Sequence, residues 1–324
     1  MKHSDITVII TFYNQPFEKL IFTLESTLRQ RDARFDVVIA DDCSKVDYSY
    51  ELNEYFSSKN YSNYTIARTI QNSKTVLNIL NALTFAKGEY VKVIGTGDAF
   101  ADDTALSAIL SFCRSGNVAV GFGRCAAFRS GVGEPQFKEF SAPSNRNKYS
   151  EFDNETILAH QLRNGDWVPG GLQFYNTKLL VSLLKELGRN AKVLYCEDFA
   201  QTLSLCTQEY QTQMLDRFIL LYEFGDGIST KGNSDSVSKL YDDHLKFYKY
   251  ISILKPYHNS YFFAYLLFLA KRFIALHFPL YSTLQNIVAK RYMDEPCFDL
   301  ALESKTFFSI CKHSANEYCN SIIN

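Results

Sequence analysis

Apolar and polar stretches along the first hundred residues predict strands and helices in turn. β-branched apolar runs predict strands over residues 6–14, 35–44, 64–69 and 90–95. Helical patterns lie between them, over 16–30, 49–58 and 73–89, the first opened by Pro16 and the last closed by Gly88. This β-α-β-α-β-α-β order with short links predicts a parallel sheet covered by helices on both faces.

The pattern after residue 98 is less regular. It predicts a helix at 102–116, a strand at 118–128, a polar loop at 130–150 and a glycine-rich turn, strand and helix within 165–188. Glu197 and Asp198 open a further helix within 193–206, and from about residue 236 the chain is helical and aromatic. We therefore expect an α/β domain over 1–235 and a helical C-terminal region over 236–324.

Composition narrows the class of protein. The 324 residues have a net charge of -1, which argues against a general nucleic-acid binder. Eight scattered cysteines without a CxxC pair give no support to a zinc or thioredoxin-like site and fit the reduced thiols of a cytosolic protein. The apolar run near the N-terminus is too short for a signal peptide, and no uncharged apolar stretch approaches 18 residues, so we expect no transmembrane helix.

Charge is unevenly distributed. Residues 1–230 carry 23 Lys and Arg against 27 Asp and Glu, whereas residues 231–292 carry 9 against 3 and are rich in Tyr and Phe. Two interpretations fit residues 239–292 of this second segment. It is either a helical cap with its aromatic residues in a core, or a surface that meets the headgroups of an anionic membrane.

Polar residues follow several predicted strands. In parallel sheets ligands bind beyond the carboxyl ends of the strands, where this chain carries Thr11 to Asn14, Asp41-Asp42 and Asp98. Asp41 and Asp42 are either a solvated turn or acceptors for a nucleotide base or ribose. Asp98 is either a turn residue after Gly97 or an oxygen ligand for Mn²⁺ or Mg²⁺ on a diphosphate. Asp102 and Asp103 are expected to cap the helix that follows.

These motifs at their mutual spacing resemble the inverting family 2 glycosyltransferases of the GT-A fold. The family's strand and T-Y-N turn match Thr11-Phe12-Tyr13-Asn14, and its D-D-x-S matches Asp41-Asp42-Cys43-Ser44. Its N-x-G…N…A-x-G-E-Y segment matches Asn72, Asn81 and residues 86–90, and its DxD motif matches Thr96-Gly97-Asp98. Its Glu-Asp pair matches Glu197-Asp198, and the likeness covers about residues 5–205.

Two departures from the family pattern stand out. Thr96 occupies the first acidic position of DxD and Ala99 a position where a third aspartate often follows. The N-x-G glycine is also missing, since the chain has Asn72-Ser73-Lys74 there. The resemblance therefore implies Mn²⁺ or Mg²⁺ at Asp98, held weakly.

The resemblance implies a division of roles. Residues 1–100 would form the nucleotide-sugar-binding half and 101–235 the acceptor half. The donor site would comprise Thr11, Tyr13, Asn14, Asp41, Asp42, Asn72, Thr96, Gly97 and Asp98. Asp198 would be the catalytic base, although an acidic residue at a helix start is also an ordinary cap.

The acceptor side is less well defined. Gly170, Gly171 and Glu197 are expected near the acceptor, with Trp167 either a stacking platform for a sugar or a packing residue. The segment 228–236 is either a loop that closes over the donor diphosphate through Lys231 or an ordinary linker. His160 and His244 lack partners at metal spacing and are expected to be structural or surface residues.

The resemblance also implies a biological role. The Q-x-x-R-W element of processive synthases is absent after Glu197-Asp198, so we expect transfer of single sugars. Proteins of this kind use a nucleotide-sugar, most often a UDP-sugar, to build surface polysaccharide such as O-antigen or capsule on a polyprenyl-diphosphate carrier. The expected location is cytoplasmic, peripheral to the inner membrane.

Two other functions remain open. One is a sugar-nucleotide-binding or scaffold protein with weak catalysis, which the thinned DxD motif favours. The other is a nucleotidyltransferase, which would carry a glycine-rich phosphate loop after the first strand. Residues 11–19 read TFYNQPFEK and contain no glycine, which ranks this alternative low.

Overall fold

The computed structural model describes most of the chain, and the first half follows the predicted alternation. The described residues are 4–129, 135–139, 142–143, 146–164, 166–207, 210–225, 234–254, parts of 263–274, and 300–323. The first elements are β1 (Ile6–Phe12), α1 (Phe17–Leu28), β2 (Phe35–Asp41), α2 (Ser49–Ser58), β3 (Tyr64–Arg68), α3 (Lys74–Ala82) and β4 (Tyr90–Gly95).

The second half adds shorter strands and more helices. Its strands are β5 (Ala99–Phe100), β6 (Val120–Phe128), β7 (Lys138–Glu139), β8 (Gln173–Asn176) and β9 (Thr212–Glu223). Its α-helices are α4 (Ala105–Ser115), α5 (Lys148–Glu151), α6 (Asn154–Asn164), α7 (Thr177–Glu186), α8 (Phe199–Thr207), α9 (Ser234–Leu254) and α10 (Leu302–Ile323). A 3₁₀ turn, Gly170–Leu172, precedes β8.

All these strands form one mixed sheet in the order β3-β2-β1-β4-β8-β6-β9-β5, with β7 paired to β6. The β3-β2-β1-β4 part is parallel, as predicted. Strand β8 then runs antiparallel to both β4 and β6, which makes the whole sheet mixed. The register places Thr11 opposite Gly95 and Phe12 opposite Asp41, so the polar residues after β1, β2 and β4 meet at one edge.

The strand order explains how the helices cover the sheet. Strands β1, β2 and β3 advance in one direction, and the chain then returns to place β4 on the other side of β1. Because parallel crossovers are right-handed, this reversal puts α1 and α2 on one face and α3 on the other. The reversal point between β1 and β4 is where open α/β sheets bind ligands.

The C-terminal helix α10 packs on α1 and joins the main hydrophobic core. The Phe308 ring meets Phe22 at a centroid distance of 5.1 Å and Phe128 at 4.8 Å, both edge to face. On α9, Phe247 is buried and stacks on Phe199 of α8 at 4.2 Å. Of these residues only Phe247 belongs to the basic aromatic segment, and the core interpretation therefore holds for Phe247.

Other predictions for this region concern residues that the structure does not describe. Most of 255–299 and Lys231 lie outside the described residues, as does much of the predicted loop at 130–150. Among the helices that are described, none combines the length and the apolar character needed to cross a bilayer.

The capping prediction for Asp102 and Asp103 is wrong, because Thr104 directly precedes α4. Asp102 accepts hydrogen bonds from the Thr104 N–H at 2.8 Å and from Arg217 at 2.9 Å. Asp103 pairs with Arg31 at 2.7 Å. The Gln30 side-chain oxygen, just after the end of α1, instead accepts the Leu106 N–H at 2.9 Å and so satisfies an open donor in the first turn of α4.

Gly88 is required by a close approach between two segments of backbone. A Cβ at this position would lie 2.5 Å from the Ile6 carbonyl carbon and the Thr7 nitrogen of β1. The Thr7 hydroxyl also accepts the Gly88 N–H at 2.9 Å. The chain can therefore enter β4 alongside β1 only where position 88 has no side chain.

Gly88→Ala is expected to destabilise the protein by about 3 kcal/mol, because backbone atoms cannot move aside as a side chain can. Chemical denaturation monitored by circular dichroism measures this change. Gly188→Ala is the matched control, since its Cβ would meet only side-chain atoms, the nearest being the end of Leu77 at 3.0 Å. Equal stability of the two variants would contradict the requirement for glycine at position 88.

Candidate active site

The turn after β4 is joined to β1 and α1 by hydrogen bonds. Thr96 donates to the Thr11 carbonyl through its N–H at 3.1 Å and its hydroxyl at 2.7 Å. Gly97 has a φ of 100°, a conformation that favours glycine, and its N–H donates to the Thr23 hydroxyl at 2.9 Å. Three of the predicted donor-site residues therefore lie together at the reversal point of the sheet.

Asp98 lies inside the protein directly after this turn. Its Oδ1 accepts the Glu223 N–H at 2.8 Å, and Thr23 donates to its carbonyl at 2.7 Å. Burial raises the pKa of Asp98 to about 7, although the Glu223 N–H and the charge of Lys92 act against this rise. The carboxylate thus acts as a structural acceptor between the ends of β4 and β9.

Lys92 is the buried cation beside Asp98. Its ammonium donates to the Val93 carbonyl at 2.7 Å and to the Gly171 carbonyl. Burial lowers the pKa of Lys92 to about 7, and the negative charge of Asp98 opposes this shift. A lysine within the apolar run VKVI is a signal that sequence reasoning passed over, since a fully buried lysine normally has a partner.

The surroundings of Asp98 do not fit a divalent metal. One carboxylate oxygen accepts the Glu223 N–H. The other lies near Gly95 and Gly171, which have no side chain that could supply a second metal ligand. Lys92 already supplies positive charge there. Within the described part of the chain, no group of three or more His, Cys, Asp or Glu side chains could hold a metal ion. The prediction of Mn²⁺ or Mg²⁺ at Asp98 has no support in this geometry.

A second carboxylate, Glu223 at the end of β9, lies beside the same turn. A Cβ added at Gly97 would overlap the Glu223 carboxylate, so that group fills the space that a side chain at position 97 would use. Both of its oxygens accept hydrogen bonds from the Lys19 ammonium at 2.7 Å. Glu223 is buried and Lys19 is 19% exposed, so the pair is largely shielded from solvent.

Asp41 and Asp42 at the end of β2 both have structural partners. Asp41 accepts the Ser44 N–H at 2.8 Å and pairs with the guanidinium of Arg68. Asp42 accepts the N–H groups of Ser73 at 2.6 Å and Lys74 at 2.9 Å, at the start of α3. The Asp42 carboxylate therefore satisfies open donors of that helix. A nucleotide contact by either aspartate stays a prediction.

The remaining predicted donor residues surround the same sheet edge. Asn14 has a φ of 52°, and its side-chain oxygen accepts the Lys45 N–H at 2.8 Å. Asn72 accepts hydrogen bonds from the Lys74 N–H at 3.2 Å and ammonium at 2.8 Å. Tyr13 is 45% exposed, which leaves its ring open to a ligand. Asn14 and Asn72 thus shape the loops, and Tyr13 offers an accessible surface.

The Gly170–Leu172 turn lies between Asp98 and the Glu197-Asp198 pair. A Cβ at Gly170 would overlap the Glu197 carboxylate, and one at Gly171 would lie 3.8 Å from Asp98 Oδ2. Lys92 also donates to the Gly171 carbonyl. The two glycines therefore let the backbone pass between Asp98 and the Glu197-Asp198 pair.

Glu197 and Asp198 directly precede α8, as predicted. Both side chains keep partial solvent access, but protein surrounds them on most sides. Burial raises the pKa of Asp198, and the charge of Asp243 adds to the rise, while the N–H groups of Asp198 and Phe199 oppose it. Burial also raises the pKa of Glu197, with a further contribution from Asp198. A carboxylate with a raised pKa, placed at a helix start, suits proton transfer near neutral pH.

Asp243 on α9 holds the segment that leads to Glu197. One of its oxygens accepts N–H groups from Leu194 at 2.9 Å, Tyr195 at 2.5 Å and Cys196 at 3.2 Å. The side chain is buried, and Lys246 lies 3.5 Å from the other oxygen. Nothing in the local sequence pattern marks Asp243, because its partners lie nearly fifty residues earlier.

Trp167 packs against aromatic rings beside this segment. Its ring lies 5.1 Å from Phe199 and 6.1 Å from Tyr248, edge to face in both cases. His244 also packs against Trp167, and His160 lies 3.0 Å from the Lys148 ammonium, so both histidines have structural partners. These contacts favour the packing interpretation of Trp167, and its role toward an acceptor stays a prediction.

The mixed sheet, the residues at its reversal point and the acidic pair at the start of α8 define a GT-A glycosyltransferase. The profile of the family "Glycosyl transferase family 2" matches residues 7–172, about half of the chain. The chain belongs to this family. No curated protein matches the sequence.

Solved structures of similar shape include those of S. aureus TarS. One TarS structure has 18% sequence identity and a TM-score of 0.49, and the match covers 77% of this chain but only 40% of the TarS chain. The structure of TarS 1–349 matches with 18% identity and a TM-score of 0.49, covering 84% of this chain and 72% of that one. The complex of TarS 1–349 with UDP-GlcNAc matches with 18% identity and a TM-score of 0.47, covering 75% and 66%.

Asp198→Asn is expected to stabilise the fold at pH 8 by about 1–2 kcal/mol. The pKa of Asp198 is higher in the folded protein than in the unfolded chain, where it is about 4. The contribution of Asp198 to folding stability is therefore fully present below about pH 4 and is lost as the pH rises through the folded-state pKa. Thermal denaturation at pH 5 and pH 8 measures this, with the larger gain expected at pH 8. Asp32→Asn, on an exposed loop, is the control. A gain in stability that is equal at both pH values would contradict a raised pKa of Asp198 in the folded protein.

Asp243→Ala is expected to loosen the segment before Glu197, because three N–H donors lose their acceptor, at about 1–3 kcal/mol for a buried donor left unpaired. Hydrogen exchange should accelerate at residues 194–196 more than in the strands of the sheet. Asp242→Ala, at the exposed neighbouring position, is the matched control. Unchanged protection of these three amides would show that Asp243 does not hold the segment.

Proposed function

We propose that this chain transfers one sugar at a time from a nucleoside-diphosphate sugar to an acceptor hydroxyl with inversion of configuration. One observation carries this proposal. The Gly170–Leu172 turn lies between Glu197 and Asp98, since a Cβ at Gly170 would overlap the Glu197 carboxylate and one at Gly171 would lie 3.8 Å from Asp98 Oδ2. A proton acceptor and a donor-binding edge on either side of one turn suit a direct displacement.

Asp198 is the catalytic base of the proposed reaction. It accepts the proton of the acceptor hydroxyl while that oxygen forms a bond to the anomeric carbon of the sugar. The bond between that carbon and the diphosphate oxygen breaks, and its electron pair leaves with the nucleoside diphosphate. The carbon has oxocarbenium character during the exchange. Attack from the opposite face converts an α-linked donor into a β-linked product.

The donor occupies the edge formed by the loops after β1, β2 and β4. Tyr13 offers an exposed ring to the nucleotide base, and Asp41 with Arg68 offers polar groups at the same edge. Thr11, Thr96 and Gly97 bring the turn close to the diphosphate. A UDP-sugar is the expected donor on family grounds. No metal at Asp98 enters this proposal, since the groups around Asp98 do not fit one.

The acceptor and the cellular role follow from the family resemblance. We expect a glycan or polyprenyl-diphosphate-linked acceptor, in the synthesis of a surface polysaccharide such as O-antigen. The basic aromatic segment 239–292 suits peripheral attachment to the cytoplasmic face of an anionic membrane. The missing Q-x-x-R-W element supports transfer of a single hexose unit without processive extension.

A nucleotide-binding protein without turnover is the second candidate function. Thr96 stands at the first acidic position of the DxD motif, and both carboxylate oxygens of Glu223 are bound to Lys19. Such a protein would bind sugar nucleotides and release no sugar. Turnover separates it from the enzyme.

Incubating the full chain with a panel of sugar nucleotides and an acceptor extract is expected to release nucleoside diphosphate from one donor. Asp198→Asn should lower this rate about 10²–10⁴-fold, the usual contribution of a general base, while nucleotide affinity stays the same. Because the pKa of Asp198 is raised, the wild-type rate should fall on the acid side well above pH 4.

Asp32→Asn is the control and should keep the full rate. A donor that binds but is never turned over, together with an Asp198→Asn variant indistinguishable from wild type, would favour the non-enzymatic candidate. A full rate at pH 4.5 would contradict the role of Asp198 as the base.

A further inference from the structure

We propose that Lys19, held by Glu223 beside Gly97, binds the diphosphate of the donor and takes the place of a divalent metal. This inference rests on the proposed function, because it concerns the same donor. The ligand class is a nucleoside diphosphate.

The position of Lys19 follows from the way α1 is attached to the turn. The Thr23 hydroxyl, one helical turn after Lys19, accepts the Gly97 N–H at 2.9 Å and donates to the Asp98 carbonyl at 2.7 Å. These bonds tie α1 to the end of β4. Lys19 consequently lies over Gly97, with its Cδ 3.6 Å from where a Cβ would be.

Glu223 sets the direction of the Lys19 ammonium. The glutamate arrives from β9, whose last residues pair with β5 directly after the turn. Both of its oxygens bind the Lys19 nitrogen at 2.7 Å, so the long side chain is held in one arrangement. A held ammonium loses less rotational freedom on binding an anion than a mobile surface lysine does.

The same space cannot easily hold a carboxylate-bound metal. Thr96 replaces the first carboxylate of the DxD motif, and the Glu223 carboxylate that fills the space beside Gly97 is already paired with a cation. Asp98 is turned away toward the Glu223 N–H and Gly171. A metal would therefore have to displace Lys19 from both oxygens of a buried carboxylate.

The cavity at this pair has the charge and size for a phosphate group. It measures about 230 Å³, and its charged lining residues are Lys19, Arg129, Lys312, Glu18 and Glu223, which leaves one net positive charge. Ligand pockets that enclose a whole small molecule are usually about 300–1,000 Å³. The cavity, which Gly97 of the donor edge also lines, thus has room for the phosphate end of a nucleotide.

Binding of UDP, GDP, ADP and TDP to the full chain, measured by calorimetry in EDTA and in Mg²⁺ or Mn²⁺, tests the proposal. For the nucleotide that binds, the dissociation constant should differ by less than about threefold between EDTA and metal. Lys19→Met should weaken this binding about tenfold or more in EDTA. Binding of the nucleoside without phosphates should stay unchanged, since the lost contact is to phosphate.

Three further variants separate this effect from misfolding. Lys19→Met leaves the buried Glu223 carboxylate without its cation, which costs stability. The double variant Lys19→Met/Glu223→Gln removes both charges and should lose nucleotide affinity by the same factor as Lys19→Met. Lys19→Arg keeps the charge and should restore most of it. Lys178→Met makes the same change at an exposed position of α7 and should bind like wild type.

The outcomes are distinct. Binding that requires Mg²⁺ or Mn²⁺, or a double variant with wild-type affinity in EDTA, overturns the role of Lys19 and leaves the proposed function intact. A wild-type chain that binds no nucleoside diphosphate with or without metal overturns the proposed function and the Lys19 inference with it.

Discussion

The hydrogen bond from the Glu223 N–H to the Asp98 carboxylate joins the two halves of the sheet. Asp98 ends the parallel half, and Glu223 ends the last long strand of the other half. Because the carboxylate is buried, its charge would be costly without the Glu223 N–H and the nearby Lys92. This arrangement brings Glu223 beside Gly97 and holds the Gly170–Leu172 turn against Asp98, so the donor edge depends on it.

The acidic residues of the candidate site divide into two groups, according to whether they join separate elements or stay within one. Asp42 and Asp98 accept backbone N–H groups and hold the loops after their strands. Asp198 instead has its N–H partners, Asp198 and Phe199, at its own helix start, and burial and the charge of Asp243 raise its pKa. An aspartate after a strand is therefore not by itself a metal ligand, because hydrogen bonds from the surrounding backbone decide whether its oxygens remain available.

The C-terminal helices support the site from both faces of the sheet. Asp243 on α9 accepts three N–H groups of the segment that leads to Glu197. On the other face, Phe308 of α10 packs against Phe22, which lines the same cavity as Lys19. The helical C-terminal region thus contributes to the order of the site, even though the residues closest to the chemistry come from the earlier part of the chain.

Local sequence pattern determined the elements and which of them would carry the site. The apolar runs predicted β1 to β4 to within about three residues, and the order of elements placed Thr11, Asp41 and Asp98 at one edge. Hydrophobic periodicity works for this purpose because burial of a strand or helix face depends on neighbours a few residues away. The GT-A class and the location of Asp198 at a helix start came from these short-range signals and the family motifs.

Tertiary structure alone decided what each charged group does. Lys19 and Glu223 are 204 residues apart in the chain. Asp243 accepts N–H groups from the segment before α8, which lies nearly fifty residues earlier. No periodic pattern encodes such pairs, since they arise only when the sheet order brings β9 beside β5 and α1. Whether a carboxylate binds a metal, a lysine or a backbone N–H follows from which partner the fold brings within about 3 Å.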